Sequence, residues 1–220
     1  MIINPCGKRL NKEVMQKLAQ VEPATVGHFL SSGVMISDFR SSLVGKRIVG
    51  HAVTLKLPTI DSVLCHHVLE VALPGDIVVI DRGGNQTHAC WGAAMTYAAK
   101  SRFLAGAVID ASVTDILDVQ RMDFPVFYRR LSALTTKLLG IDGDINVPIH
   151  CGGVVVRPDD IIICDTNGVV VIPPDQAEMI ADKALAEQHK EIDQFKAIDS
   201  GIPLGELSGA NKFLDRYTRY

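Results

Sequence analysis

The pattern of hydrophobic positions predicts a central β-α-β unit over residues 75–115. An apolar run over residues 77–80 is short and β-branched, as is typical of a buried strand, and it ends at Asp81. Helix-forming residues then dominate residues 89–102, and a second apolar run over residues 107–110 predicts the next strand. A chain that alternates strand, helix and strand in this way belongs to the α/β class.

Helices are predicted at both ends of the chain, with further strands between them. Helical spacing of apolar residues indicates helices over residues 7–20, 61–71 and 116–122, and Thr25 is the expected N-cap of a short helix to residue 30. Strands are predicted over residues 45–57 (half-buried), 124–128, 147–149, 154–156, 161–165 and 169–173. Asp175 is expected to cap a long C-terminal helix, and residues 131–146 are expected to form a long loop. With no internal repeat or linker, we expect a single domain over residues 1–220.

Glycines and acidic residues follow both strands of the central unit. Gly83 and Gly84 permit positive φ, and successive amides in such a turn can bind an anion. Ligands of open α/β sheets bind at the carboxyl ends of the strands, where helix N-termini offer free N–H groups. We therefore expect Asp81, the glycine loop, the start of the helix and the turn from Asp110 to Asp115 to meet in one site. The alternative is that these glycines and polar turns serve only the β-α-β connections.

Composition and charge narrow the classes of function. The apolar fraction of 47% and the mean hydropathy of +0.20 indicate a globular, aliphatic core. A net charge of −3 without a cluster of Lys and Arg argues against nucleic acid as a partner. No apolar stretch has the length of a membrane span and the first residues lack a signal-peptide pattern, so we expect no membrane contact and a cytoplasmic location. Five scattered cysteines without CxxC pairs are expected to be reduced thiols.

An ordered series of motifs carries a family resemblance. PGDIVVID and GG are followed by WG with an alanine-rich helix, by GAVID with an aspartate five residues later, and by FPVF, NVP, CGGVVVRPDDII and DTNGVVVIP. Over about residues 24–205 this series resembles the family of regulator of ribonuclease activity A (RraA) and the 4-hydroxy-4-methyl-2-oxoglutarate aldolases. The resemblance implies a swivelling β/β/α domain with N-terminal helices and a long C-terminal helix. It also implies assembly as a homotrimer or a hexamer.

The aldolase branch of this family implies a chemistry and a set of site residues. These aldolases use Mg²⁺ or Mn²⁺ to cleave a 4-hydroxy-2-oxo acid to pyruvate, and they decarboxylate oxaloacetate at the same site. Asp115 matches the metal-binding aspartate, and because Mg²⁺ keeps several waters, one carboxylate suffices as direct ligand. The residues expected to bind the substrate, in part through the free amides of the helix N-terminus, are Gly84, Gly92, Ala93, Ala94, Met95 and Thr114.

The chain departs from the aldolase pattern at two positions. The aldolases carry an arginine immediately before the metal-binding aspartate, where this chain has Thr114, the first catalytic candidate. They commonly carry an acid after the WG glycine, where this chain has Ala93. Losing a charge-assisted contact costs about 1.5–3 kcal/mol, so these changes predict altered substrate choice or lost activity.

Other side chains are candidates to replace the missing groups. His88 is the second catalytic candidate, as a base or metal ligand, because histidine exchanges protons near neutral pH; an ordinary loop histidine is the alternative. Lys137 or Arg130 could supply positive charge. His66 and His67 are adjacent on a predicted helix and cannot form a metal pair, but one of them could reach the site.

Arg82, Cys90 and Asn85 lie in or beside the glycine loop as further candidates, although Cys90 and Cys151 are interpreted as packing residues. Two classes of function stay open. One is a metal-dependent lyase acting on a small 2-oxo acid. The other is a non-catalytic regulator that binds a protein such as a ribonuclease.

Overall fold

The computed structural model describes residues 1–36, 38–214 and 217. The strands are β1 (Ile2–Ile3), β2 (Arg40–Ser41), β3 (Ile48–Lys56), β4 (Ile77–Asp81), β5 (Gly106–Val113), β6 (Val126–Leu131), β7 (Asp144–Ile145), β8 (Ile149–Cys151), β9 (Val154–Val156), β10 (Ile161–Asp165) and β11 (Gly168–Ile172). The helices are α1 (Lys12–Leu18), α2 (Pro23–Gly27), α3 (Val63–Val71), α4 (Ala93–Ser101), α5 (Ile116–Arg121), α6 (Ala177–Asp199), α7 (Leu204–Leu207) and α8 (Ala210–Leu214).

Four parallel strands, β3 to β6, lie side by side in chain order and form the centre of the fold. The helices α3, α4 and α5 connect them and cover one face of the sheet, where alternate strand residues such as Val78 and Ile80 join the largest core cluster. The opposite face, with Ile77 and Val79, packs against β8 to β11. These layers confirm the predicted α/β class.

The terminal helices cover the outside of the β10–β11 hairpin. Ile161 and Ile163 of β10 pack with residues of α1, α2 and α6, whereas Ile162 and Cys164 point to the central sheet. No helix in the described residues is both long and apolar enough to cross a membrane.

Three expectations about the elements, one on strand burial and two on helix caps, are wrong. The strand predicted over residues 45–57 is β3, and it is buried on both faces rather than half-buried, because it lies between the helical layer and the second β-layer. Asp175 lies in a short 3₁₀ turn, Pro174–Gln176, so it does not cap α6, which begins at Ala177. Thr25 lies inside α2, whose N-cap position is Glu22.

The helix predicted over residues 89–102 begins only at Ala93. The preceding residues run extended, because their backbone groups bond to neighbouring segments instead of to a helical turn. The amide of Ala89 donates to the carbonyl of Leu134 at 2.8 Å, and the amide of Thr114 donates to the carbonyl of Trp91 at 2.9 Å. These contacts place the start of α4 against the end of β5.

Candidate functional site

A cavity of about 370 Å³ lies where the carboxyl end of β5 meets the N-terminus of α4. Its walls come from four segments that are distant in sequence: Ser62 and His66 beside and on α3, residues 89–95, Thr114 with Asp115, and residues 135–138. This is the edge of the sheet where α/β proteins bind ligands.

Asp115 points its carboxylate at the start of α4. The residue adopts a left-handed conformation, with φ 53° and ψ 36°, directly before α5. Its Oδ2 accepts a hydrogen bond of 3.0 Å from the amide of Ala93, and its Oδ1 accepts one of 3.2 Å from the Thr114 hydroxyl. Left-handed backbone is uncommon for residues other than glycine, although Asp tolerates it better than most, and such residues cluster at functional sites. The side chain is solvent-exposed, so the carboxylate is accessible to a ligand.

Gly92 makes this approach possible because it has no side chain. A Cβ at this position would lie 2.6 Å from Asp115 Oδ2 and 2.7 Å from Thr114 Cγ2. Since real Cβ atoms do not approach other atoms so closely, any other residue would displace the carboxylate. The glycine of the WG motif is therefore explained by the close approach of two segments that lie 22 residues apart.

Trp91 fixes the backbone just before that glycine. Its ring is buried, its indole N–H donates to the Thr96 hydroxyl at 2.9 Å, and it stacks on Phe124 with 6.4 Å between the ring centroids. Its carbonyl accepts the amide of Thr114. One aromatic side chain thus holds the start of α4 and the residue before Asp115 in a fixed relation.

The amides at the start of α4 give the cavity an electropositive wall. The amide of Ala93 is occupied by Asp115, while those of Ala94 and Met95 have no hydrogen-bond acceptor recorded among the described residues. Free amides at a helix N-terminus, together with the helix dipole, bind carboxylates and other anions.

Asp61 holds the long loop that contributes residues 135–138 to the cavity lining. Its buried carboxylate accepts hydrogen bonds from the amides of Val63, Leu139 and Ile141 at 2.9, 3.1 and 2.6 Å, with a weaker contact to Asp142. Burial raises the pKa of Asp61, but these four amides outweigh it and lower the pKa to about 2. The carboxylate of Asp61 therefore holds the loop expected over residues 131–146 in place. From the sequence, Asp61 is expected only at the start of a helix.

Lys137 and His66 are the residues of the cavity lining whose side chains carry ionisable nitrogen atoms. Backbone hydrogen bonds of 2.8 Å join the amide of Lys137 to the carbonyl of Ile60 and the amide of Ser62 to the carbonyl of Lys137. Both Lys137 and His66 are exposed on the cavity lining, and neither side chain has an ion pair among the described residues. Of the two candidates for the positive charge, Lys137 lines the same cavity as Asp115, whereas Arg130 lines a separate cavity.

Gly84 and His88 lie outside the lining of the Asp115 cavity. Gly84 is exposed at φ 84°. His88 is half-buried, and its Nδ1 is buried without a hydrogen-bond partner in the described residues. The other expected residues, Gly92, Ala93, Ala94, Met95, Thr114 and Asp115, do meet in one cavity.

The expectation that Asp81 and Asp110 share this site is wrong. Asp81 accepts hydrogen bonds from the amides of Gly83 and His150, and Asp110 binds the Arg129 side chain and the amide of Gly152. These carboxylates hold the β8–β9 hairpin on the opposite face of the sheet. Strand alternation explains the separation, because Asp81 and Asp110 are register partners and point to the same side.

The donor set fits a cation that keeps most of its water. The described residues contain no group of three or more His, Cys, Asp and Glu side chains arranged to hold a metal ion. Asp115 offers one accessible carboxylate beside the Thr114 hydroxyl, which suits Mg²⁺ or Mn²⁺ bound through one protein ligand, water and substrate oxygens. It does not suit a fully protein-ligated zinc site.

Comparisons with known proteins agree with this architecture. A family profile described as "RraA-like: Aldolase/RraA" matches residues 25–171. A protein of Halalkalibacterium halodurans, provisionally named 4-hydroxy-4-methyl-2-oxoglutarate aldolase, is 37% identical over 156 residues, which cover 71% of this chain and 74% of the relative.

Two crystal structures are similar over most of the chain. An uncharacterized protein from Pseudomonas syringae pv. tomato has a TM-score of 0.80 at 25% identity, and the match covers 92% of this chain and 96% of that one. Streptomyces coelicolor RraAS2, described as an unusual member of the RNase ES inhibitor RraA family, has a TM-score of 0.75 at 25% identity, covering 87% and 98%. The fold, the matched profile and the aldolase-named relative together establish that this chain belongs to the RraA-like family.

Proposed function

We propose that the chain is a divalent-metal-dependent lyase that releases pyruvate from a small 2-oxo acid, either a 4-hydroxy-2-oxo acid or oxaloacetate. The observation that carries this proposal is the accessible Asp115 carboxylate, held beside the free amides of α4 at the mouth of a cavity. The aldolase-named relative supports the same class of reaction.

Each part of the cavity has a role in this reaction. Asp115 would hold Mg²⁺ or Mn²⁺, whose positive charge offsets the negative charge that develops on the keto oxygen as the carbon–carbon bond breaks. The amides of Ala94 and Met95 bind the 1-carboxylate of the substrate. Thr114 donates to Asp115 and holds that carboxylate in one orientation.

Lys137 supplies the positive charge that the arginine provides in the aldolases. It lines the same cavity as the start of α4, where it can pair with the second carboxylate of a dicarboxylic 2-oxo acid. A lysine on a flexible stem gives a weaker and less directional contact than a bidentate arginine, so we expect weaker binding of the aldolase substrate.

His66 is our first candidate for the base that takes the proton of the 4-hydroxyl group, because it lines the cavity and histidine is suited to proton transfer near neutral pH. His88 is the second candidate, since it lies in the glycine loop but outside the lining. Decarboxylation of oxaloacetate has no hydroxyl proton to remove. Loss of the base should therefore reduce aldol cleavage and leave decarboxylation intact.

The test measures pyruvate with lactate dehydrogenase and NADH, using oxaloacetate and 4-hydroxy-4-methyl-2-oxoglutarate with Mg²⁺ or Mn²⁺. We expect Asp115→Asn to abolish both activities and its control Asp118→Asn, three residues further on, to keep them. His66→Asn should lose at least about tenfold in aldol cleavage alone, with His67→Asn as control. Pyruvate release no faster than that of the metal ion without protein would refute the proposal.

We also propose a homotrimer or a hexamer. Five large apolar side chains between residues 131 and 141 are exposed by 48–64%, and clusters of exposed apolar residues are typical of protein–protein interfaces: Leu131, Leu134, Leu138, Leu139 and Ile141. A second copy of the chain that packs on this loop would cover them and close the cavity. Light scattering after size-exclusion chromatography tests this, and a monomer at micromolar concentration would refute it.

A second candidate function is a regulator that binds a ribonuclease. Thr114 and Ala93 remove two charged groups of the aldolase pattern, and RraAS2 is described as belonging to an RNase inhibitor family. If neither 2-oxo acid is cleaved, the regulator proposal is tested by adding this protein to a purified endoribonuclease of the RNase E type. Inhibition of RNA cleavage would support the proposal. No inhibition at a tenfold molar excess would count against this candidate.

A further inference from the structure

A buried arginine lies near Cys90, a residue of the cavity lining, and its side chain has no ion pair among the described residues. Arg82 follows β4 and its side chain is completely buried. The nitrogen atoms Nε, Nη1 and Nη2 all lack a hydrogen-bond acceptor among the described residues. An unpaired guanidinium in the interior is costly, so such a site calls for a nearby negative charge.

Two cysteines lie close to this arginine and to each other. Cys65 of α3 donates its thiol to the carbonyl oxygen of Cys90 at 2.9 Å, which brings its sulfur atom beside Cys90. Cys65 is fully buried, whereas Cys90 is 5% exposed and forms part of the cavity lining. A small molecule in the cavity can therefore contact residue Cys90, whereas Cys65 lies outside the lining.

The surroundings of Cys90 differ from those of the other buried cysteines. The neighbouring Cys65 thiol lowers the pKa of Cys90, and the charge of Arg82 acts in the same direction. Burial instead raises the pKa of Cys151 and of Cys164 well above the usual value. Cys6 is more exposed than Cys90, yet burial raises its pKa too. Thiolate character, rather than exposure alone, decides which cysteine reacts.

We propose that Cys90 is a peroxide-reactive thiol in the lining of the cavity, that Arg82 activates it, and that Cys65 is its resolving partner. The Cys90 thiolate attacks one oxygen of a hydroperoxide, so an S–O bond forms, the O–O bond breaks and water or an alcohol leaves after protonation. The sulfur of Cys65 then attacks the sulfur of Cys90. An S–S bond forms, the S–O bond breaks, and the hydroxide leaves as water with the proton of Cys65. The two thiols lose two electrons and the peroxide gains them.

This proposal is independent of the lyase activity, since it concerns the sulfur atoms and the guanidinium near Cys90. The disulfide would join α3 to the extended residues that precede α4. These two segments carry His66 and Gly92, so oxidation would fix two walls of the cavity to each other.

The test uses the full chain and hydrogen peroxide at a low molar excess. After quenching, the protein is unfolded, alkylated with iodoacetamide and mapped by mass spectrometry. We expect a Cys65–Cys90 cross-link that dithiothreitol reverses, while Cys151 and Cys164 in the same sample stay fully alkylatable. We also expect native Cys90 to be alkylated at least about tenfold faster than Cys6, because a larger fraction of Cys90 is thiolate.

Variants separate the two roles. Cys65→Ser should leave a sulfenic acid on Cys90 that dimedone traps. Arg82→Met should slow the alkylation of Cys90 at least about tenfold, with Arg82→Lys, which keeps the charge, closer to wild type. The kinetics of the unmodified protein keep the test valid even where Arg82→Met fails to fold. Faster reaction of Cys6 than of Cys90, or peroxide treatment without the Cys65–Cys90 link, would overturn the proposal.

Discussion

Adding a single methyl group at Gly92 should disable the proposed site. In Gly92→Ala the new Cβ would lie 2.6 Å from Asp115 Oδ2 and 2.7 Å from Thr114 Cγ2. The backbone of Gly92 is extended at φ −156°, so alanine meets no conformational strain and the effect is purely steric. Thr114 cannot move away easily, because its amide is bonded to the carbonyl of Trp91. The Asp115 carboxylate is therefore the group that turns aside.

The structure sets the size of the effect. Ordinary contacts begin near 3.4 Å, so the carboxylate must shift by at least about 0.8 Å from its present 2.6 Å. That shift breaks the 3.0 Å hydrogen bond from the amide of Ala93, a contact to a charged acceptor worth about 1.5–3 kcal/mol. A misplacement of about 1 Å in a catalytic group costs on the order of 10²-fold in rate. We expect a loss of about 10- to 100-fold in turnover and in Mn²⁺ affinity, with a stability loss of about 1–3 kcal/mol.

The assay compares Gly92→Ala with Gly27→Ala in pyruvate release, in Mn²⁺ titration by electron paramagnetic resonance and in urea denaturation. Gly27 is the matched control, since a Cβ there meets nothing within 4 Å. Its variant should equal the wild type in metal binding and turnover. Wild-type Mn²⁺ affinity and turnover in Gly92→Ala would refute the assignment of Asp115 as the metal ligand.

Three other substitutions test separate parts of the argument. Thr114→Arg should raise kcat/KM for 4-hydroxy-4-methyl-2-oxoglutarate by about 10- to 100-fold, because it restores a charge-assisted contact worth about 1.5–3 kcal/mol; an unchanged value in the coupled assay contradicts this. Asp61→Asn should lower the free energy of unfolding at pH 7 by about 1–3 kcal/mol in urea, since an amide cannot accept from four backbone N–H groups. The pKa of Asp61 is lowered to about 2 in the folded protein, so the stabilisation by its charge is present above about pH 4 and is lost as the pH falls towards 2; equal acid denaturation of variant and wild type argues against it. Asp76→Asn should remove a pH dependence of opposite sign. Burial raises the pKa of Asp76 to about 6 despite its salt bridge with Arg9, so the free energy of unfolding of the wild type should fall by up to about 2 kcal/mol as the pH rises from 4 to 7. In urea titrations the variant should show a smaller change in unfolding free energy over this pH range.

The sequence predicted the central unit well because its signals are local. The apolar run of β4 and the alanine-rich α4 follow from spacing within about ten residues, and the β10–β11 hairpin follows from two β-branched runs around a two-residue turn. The motif series also led to Asp115 and to the amides of α4, which do line one cavity. These features depend little on what the rest of the chain does.

The remaining parts of the site depend on contacts between distant segments. Nothing near Lys137 in sequence indicates that its backbone pairs with Ile60 and Ser62 across 75 residues or more. Asp61 looked like the start of a helix, yet most of its hydrogen bonds go to residues 139–142. Their positions at the strand ends predict that Asp81 and Asp110 bind a ligand, but they accept hydrogen bonds from backbone amides of the β8–β9 hairpin. A sequence gives the type of such side chains but not the face of the sheet on which they act.

The arrangement around Asp115 can be explained either by catalysis or by helix capping, and one variant separates the two. The carboxylate accepts the amide of Ala93, which by itself would stabilise α4 in a protein with no enzymatic role. Asparagine also tolerates left-handed backbone, and its Oδ1 can accept the same hydrogen bond, so Asp115→Asn keeps the cap and removes only the negative charge. A capping role predicts an unfolding free energy within about 0.5 kcal/mol of wild type and no other consequence. A metal ligand predicts the same stability together with loss of Mn²⁺ binding and of pyruvate release. The lyase proposal therefore requires that stability and metal binding separate in this variant, because only the charge distinguishes the two side chains.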